Sequence, residues 1–125
     1  MPDEMRGRWR SDTRELLDAA TSRETADGRF HDVLDDPATF TDGAAGLMFA
    51  YAAFTGVVDG WLAAEYADRA TRWLEAALSR VDADGVIHGV CGAPHFDREG
   101  VSAEAQAFAI MAIAASERAM RGPAV

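Results

Sequence analysis

Apolar and polar positions fall into four stretches of helical period, and the four are of two kinds. From about Asp12 to Arg23, Leu16, Leu17 and Ala20 form one apolar stripe between charged neighbours. Ser11 or Asp12 is placed to cap this helix, with Glu15 in the first turn, where the macrodipole favours an anion. From about Asp42 to Thr55 the pattern changes: Gly43 to Phe54 contains no charge at all. A helix that is apolar all round is buried on most sides, and Gly56 is expected to end it. From about Leu62 to Val81 the stripe returns as Leu62, Tyr66, Ala70, Trp73, Leu74, Ala77, Leu78 and Val81. Its other face pairs Glu65 with Arg69 and Asp68 with Arg72, each pair contributing about 0.2–0.5 kcal/mol. The last stretch, about Ala103 to Met120, follows a Ser102 cap, and between Ala105 and Ala115 only Gln106 is polar. The order is therefore outer, inner, outer, inner. Such alternation suits the two concentric layers of an all-α toroid better than a four-helix bundle, whose helices each keep one wet face.

The loops repeat as well. Asp27-Gly28-Arg29-Phe30-His31-Asp32-Val33 matches Asp84-Gly85-Val86-Ile87-His88-Gly89-Val90 at a constant offset of 57 residues. Each segment leads from an outer into an inner helix, so the repeating unit is a helical hairpin, and two such units are present. These two loops, about Glu24–Thr41 and Asp82–Val101, are long, whereas the inner-to-outer connection Gly56–Trp61 is short. Asp-Gly marks a turn in which glycine takes a positive φ without steric cost. Phe30 to Leu34 and Val86 to Val90 read as short extended segments beyond those turns.

With 125 residues, 49% of them apolar, the chain reads as a single domain, residues 1–125. A net charge of −9 argues against nucleic acid and anionic membrane surfaces as partners. No run approaches the roughly 20 apolar residues that span a bilayer. Met1 to Arg10 is polar and lacks the apolar core of a secretion signal, and the single cysteine, Cys91, forms no internal disulfide. Both features lead to the expectation of a cytoplasmic protein.

The long loops carry all three histidines (His31, His88, His95), Cys91 and the run Asp35-Asp36-Pro37. The histidines and Cys91 form no metal-ligand motif, so no metal is expected. Cys91 reads as a half-buried structural thiol, and Asp35-Asp36-Pro37 as a turn in place of a pair of catalytic carboxylates. Trp73 sits in the apolar stripe and reads as core before it reads as a sugar platform. Two readings stand for His31 and His88: polar anchors of structural loops, or ligand contacts. Asp42 can cap an inner helix and still face a central cavity, while Arg98 and Glu104 lie near the same end of the other inner helix. His31, Asp42 and His88 are the candidate substrate-binding residues, expected to be accessible at one end of the molecule.

Gly28-Arg29-Phe30-His31-Asp32-Val33-Leu34-Asp35-Asp36-Pro37, then Asp42 and Gly46-Leu47-Met48-Phe49-Ala50-Tyr51, form an ordered series. Gly56-Val57-Val58-Asp59-Gly60-Trp61-Leu62, Tyr66, Asp84-Gly85-Val86 and Gly89-Val90-Cys91-Gly92 continue it. The series resembles the C-terminal part of the unsaturated glucuronyl and rhamnogalacturonyl hydrolases, glycoside hydrolase families 88 and 105. Where that family usually shows Trp-x-Gln before Val, this chain has Phe30-His31-Asp32, and Asp42 stands in place of the usual Glu. The resemblance implies an (α/α)6 toroid of which this chain supplies about two of the six hairpins. It implies oligosaccharide substrates ending in a 4,5-unsaturated uronic acid, whose vinyl ether carbon is protonated by an Asp that also activates water. No metal or organic cofactor is implied. The family's catalytic Asp lies in earlier hairpins, so no catalytic residue is assigned and the chain alone is expected to be inactive, a truncated or separate product that an N-terminal half encoded elsewhere would complement. The alternative expectation is a non-enzymatic helical module whose inner faces pack in a homodimer.

Overall fold

The computed structural model describes residues 1–122. It contains four helices, α1 (Asp3–Thr21), α2 (Gly43–Val58), α3 (Glu65–Leu78) and α4 (Ala103–Arg121). Between α3 and α4 two short strands, β1 (Val90–Cys91) and β2 (Glu99–Gly100), pair antiparallel with Val90 opposite Gly100. The four predicted helices are all present, and three of their boundaries teach something.

The first helix starts at Asp3, not near Asp12, so Glu15 is mid-helix and Asp3 and Glu4 occupy the first turn. Ser11 and Asp12 are cap-type residues, but a side chain caps only where the backbone enters the helix, and nothing from Asp3 onward breaks it. The second helix runs through Gly56 to Val58 and stops at Asp59-Gly60, where Gly60 takes φ +76°. Gly56 has a packing role instead. A Cβ there would lie 2.5 Å from Leu62 Cδ1 and 2.9 Å from Trp61 Cζ2, and its carbonyl accepts from both Trp61 N–H and Leu62 N–H at 3.0 Å. The missing side chain lets the chain fold straight back onto α2. The third helix ends at Leu78, leaving Val81 outside the core stripe and partly exposed, bridged to Ile87.

The layers follow the pattern of side chains. α2 lies at the centre, packed on α3 and α4, with Leu47, Ala50, Ala53 and Phe54 buried. Trp73 is fully buried and belongs to the core, edge-on to Phe30 at 5.5 Å and to Phe49 at 6.1 Å. α4 is buried along only one side. Ala105, Ala109, Ala112 and Ala115 are covered, whereas Ile110, Met111, Ile113 and Met120 are exposed. The uncharged stretch correctly marked an inner helix, but one of its two sides has no neighbour among the described residues.

The 57-residue repeat is a repeat of hydrogen bonds. After α1, Gly28 N–H donates to Thr25 O and Thr25 N–H to Arg29 O; after α3, Gly85 N–H donates to Asp82 O and Asp82 N–H to Val86 O. The turns share a side-chain bond, Arg29 N–H to Thr25 Oγ1 and Val86 N–H to Asp82 Oδ1, both at 3.0 Å. Gly28 and Gly85 take φ +82° and +83°. Phe30 and Ile87, each two residues past the turn glycine, are both buried. Even the helix ends coincide, with Ser22 and Ser79 hydroxyls donating back to Ala19 O and Ala76 O.

Candidate functional site at the loop end

Both inner helices begin at the end of the molecule where the two long loops meet. Asp42 joins these parts. Its Oδ1 accepts from Ala44 N–H at 3.0 Å, capping α2, and from Cys91 N–H at 2.9 Å, holding β1. Its own N–H donates to Phe30 O, and Gly43 N–H donates to Gly89 O, each at 2.8 Å. Ser102 caps α4 by accepting from Ala105 N–H at 3.1 Å. Gln106, the lone polar residue of that helix's apolar stretch, holds the second Asp-Gly turn: it accepts from Ile87 N–H and donates to Gly85 O.

Between the two helix starts lies a depression of about 350 Å³ lined by Asp42, Ala44, Met48, Cys91, Phe96, Ser102 and Glu104. Of the three predicted contact residues, only Asp42 lines it. His31 is half-buried, and its Nδ1 lies 2.8 Å from Thr39 O. A carbonyl only accepts, so Nδ1 is the donor of this bond and Nε2 is the ring nitrogen left over for another partner. His88 is exposed, with Nε2 2.7 Å from Asp82 Oδ2. That bond holds the Asp82 carboxyl below its usual range, aided by Val86 N–H and Asp84 N–H. The two imidazoles therefore share the loop end with Asp42 but are not gathered around one cavity with it.

Cys91 is half-buried, as the sequence suggested, with Sγ 3.1 Å from Phe96 O. Burial first, then the carboxylates of Asp32 and Asp42, push its thiol up, so it stays protonated at neutral pH and is not an activated nucleophile. Arg98 turns its guanidinium to the adjacent Asp97 at 3.0 and 3.1 Å. Among the described residues no group of His, Cys, Asp and Glu is arranged to hold a metal ion. Sequence reasoning did not single out Met48, Phe96 or Ser102 as neighbours of Asp42. The available signal was the pair of caps, because two inner helices starting side by side bring their first turns together.

A family model described as Glycosyl Hydrolase Family 88 matches residues 3–119. The chain belongs to that family. No curated protein matches it. Among solved structures, a possible member of the GH105 family from Klebsiella pneumoniae aligns with TM-score 0.72 and 18% identity, over 84% of this chain and 29% of that one. One so described from Salmonella enterica aligns at 0.67 and 19%, over 84% and 30%. A glycosyl hydrolase family 88 protein from Bacteroides vulgatus aligns at 0.67 and 20%, over 94% and 36%. At these identities the likeness establishes the fold, part of the helical toroid. The chain spans about a third of the length of those structures.

Proposed function

We propose that this chain forms the last two hairpins of a six-hairpin glycosidase acting on oligosaccharides that end in a 4,5-unsaturated uronic acid. One observation carries the reading: a family match over residues 3–119 falls on a structure whose two inner helices open, cap beside cap, at one loop end. In a complete ring that end is the mouth of the cavity. Asp42, His31 through Nε2 and His88 through Nδ1 are the groups offered to sugar hydroxyls from this side. The proton donor to the vinyl ether carbon comes from another hairpin. So does the receptor for the sugar carboxylate, because Asp32, Asp42, Asp97 and Glu104 make this side of the mouth acidic while Arg98 is held by Asp97. Oligosaccharide is then the partner, and the N-terminal hairpins, on the same or a separate polypeptide, complete the site. Among the described residues no helix is long and apolar enough to cross a membrane.

Purified 125-residue protein is expected to leave the ultraviolet absorbance of an unsaturated disaccharide unchanged, because a positioned general acid is indispensable to protonating an alkene. Adding a polypeptide that supplies the other four hairpins is expected to bring hydrolysis. Turnover by this chain alone, or none after the hairpins have bound, would overturn the reading. The exposed Ile110, Met111, Ile113 and Met120 favour one other reading, a non-enzymatic homodimer that covers α4; a stable, inert dimer indifferent to added hairpins is its signature.

A further inference from the structure

The end of the molecule away from the loop site holds a second hollow. Asp42 caps the start of α2, whereas the turn Gly56–Trp61 leaves its other end, about 24 Å away along a helix of 16 residues. There the first half of α1 passes the turn, and a space of about 410 Å³ opens between Arg6, Trp9, Arg10, Thr13, Asp59 and Trp61. Two local features build it. Gly56, without a side chain, leaves room for Trp61 to fold back on α2, and Gly60 takes φ +76° in the turn. Arg6, Arg10 and Arg14 recur every four residues and so share the side of α1 that meets this turn.

Elsewhere on the outer helices the arginines hold carboxylates: Arg8 with Asp12, Arg69 with Asp18, Arg72 with Glu24. Arg10 and Arg14 form no ion pair among the described residues, although the chain carries a net charge of −9. Arg14 donates instead to Trp61 O at 2.9 Å and fixes the turn, while Arg10 stands over the Trp61 indole, 5.9 Å from its centroid. Arg6 meets only Asp3, at 3.5 Å, in an exposed pair of little strength. The Arg10 guanidinium is thus held at an aromatic face with its donors open to a ligand. Trp9 lines the same hollow and is 55% exposed. Asp59 adds a carboxylate that pairs with no cation among the described residues.

These groups make three demands on one ligand. A guanidinium fork matches a planar carboxylate. An indole takes the apolar face of a ring. The Asp59 carboxylate only accepts, so it favours a ligand that also carries hydroxyl donors and disfavours a bare anion. A sugar ring bearing a carboxylate meets all three; inorganic phosphate lacks the face, and a neutral sugar lacks the charge. We propose that this hollow binds a carboxylated sugar unit, at a site separate from the loop end. Arg10 takes the carboxylate, Trp9 and Trp61 the ring, and Asp59 a ring hydroxyl. The proposal does not rest on the six-hairpin reading, because every group belongs to this chain and binding needs no reaction.

Titration of the 125-residue protein with methyl glucuronide, followed by NMR of its three indole N–H signals, tests it. Those of Trp9 and Trp61 are expected to shift saturably at millimolar concentrations, while that of Trp73, fully buried in the core, stays still. Methyl glucoside and inorganic phosphate should each bind about tenfold more weakly. Trp9→Ala and Arg10→Gln, both at exposed positions where substitution leaves the fold intact, should each weaken the glucuronide about tenfold. Any of four results would overturn the proposal: no saturable shift at Trp9 and Trp61, an equal response to glucoside or phosphate, unchanged affinity in both variants, or shifts confined to amides around Asp42 and His31. The last would put the sugar at the loop end alone.

Discussion

The two inner helices begin alike and end up in different surroundings. Asp42 and Ser102 cap them in the same way, and that equivalence aligns Leu47, Ala50, Ala53 and Phe54 of α2 with Ala107, Ile110, Ile113 and Ala114 of α4. The first four are buried and the second four exposed. The outer helices differ in the same manner but on the other flank, with Trp73 buried and Leu16 half exposed. An apolar residue in a repeat array is therefore not core by virtue of its pattern alone. It becomes core when the neighbouring repeat covers it.

Substitutions can break this comparison. Trp73→Ala removes a fully buried ring and is expected to cost about 3–5 kcal/mol, whereas Leu16→Ala at the equivalent position should stay within about 0.5 kcal/mol. Urea unfolding of the two variants checks it, and similar midpoints would mean that α1 is covered after all. Ala50→Ile forces a large side chain between helices and is expected to cost about 1–3 kcal/mol; Ile110→Ala, its counterpart on α4, should be nearly neutral by the same measurement.

A smaller effect tests the polar contact between the outer helices. Tyr66→Phe deletes the hydroxyl bonded to Asp18 and is expected to cost about 1 kcal/mol. The Tyr66 hydroxyl, followed by Arg69, is what holds the Asp18 carboxyl below its ordinary value against the opposing cost of burial. A carboxyl lowered in the folded state contributes stability above the unfolded value, about 3.9, and loses it as pH falls through the folded one. The gap between wild type and Tyr66→Phe should therefore be full at neutral pH and narrow on acidification below about pH 4, as thermal melts across pH would show. The smallest effect is local. His88→Gln takes away the principal bond that lowers Asp82, so NMR titration should find that carboxyl moved up toward the ordinary range.

Much of this architecture was legible in the chain. The uncharged run from Gly43 to Phe54 marked a central helix, and two Asp-Gly segments at one spacing marked a repeated turn whose hydrogen bonds coincide. Asp42 was legible as a cap because a carboxylate just before an apolar run can accept from the free N–H groups of the helix's first turn. Gly56 was misread because a glycine near a helix end signals a stop, and only the return of Leu62 onto α2 shows that it marks a close approach. The start of α1 was misread because Ser11 and Asp12 look like caps even inside a helix. The exposed side of α4 was not legible, because burial there depends on a neighbour that local pattern does not describe. Of the site, the shared loop end followed from the repeat. The bonds of His31 to Thr39 and His88 to Asp82 did not, because they depend on how each loop folds back on itself.

Native-state hydrogen exchange tests most directly whether the two hairpins form an open-ended pair, covered at α2 and uncovered at its edges. Amides of α2 from Leu47 to Phe54 are expected to exchange only by global unfolding, and those of α4 from Ala107 to Ala114 by cheaper local opening. The first turns of α1, exposed from Asp3 to Arg10, should exchange fastest of all. Protection of α4 equal to that of α2 would contradict the account, since it would mean that both inner helices are covered in the chain by itself.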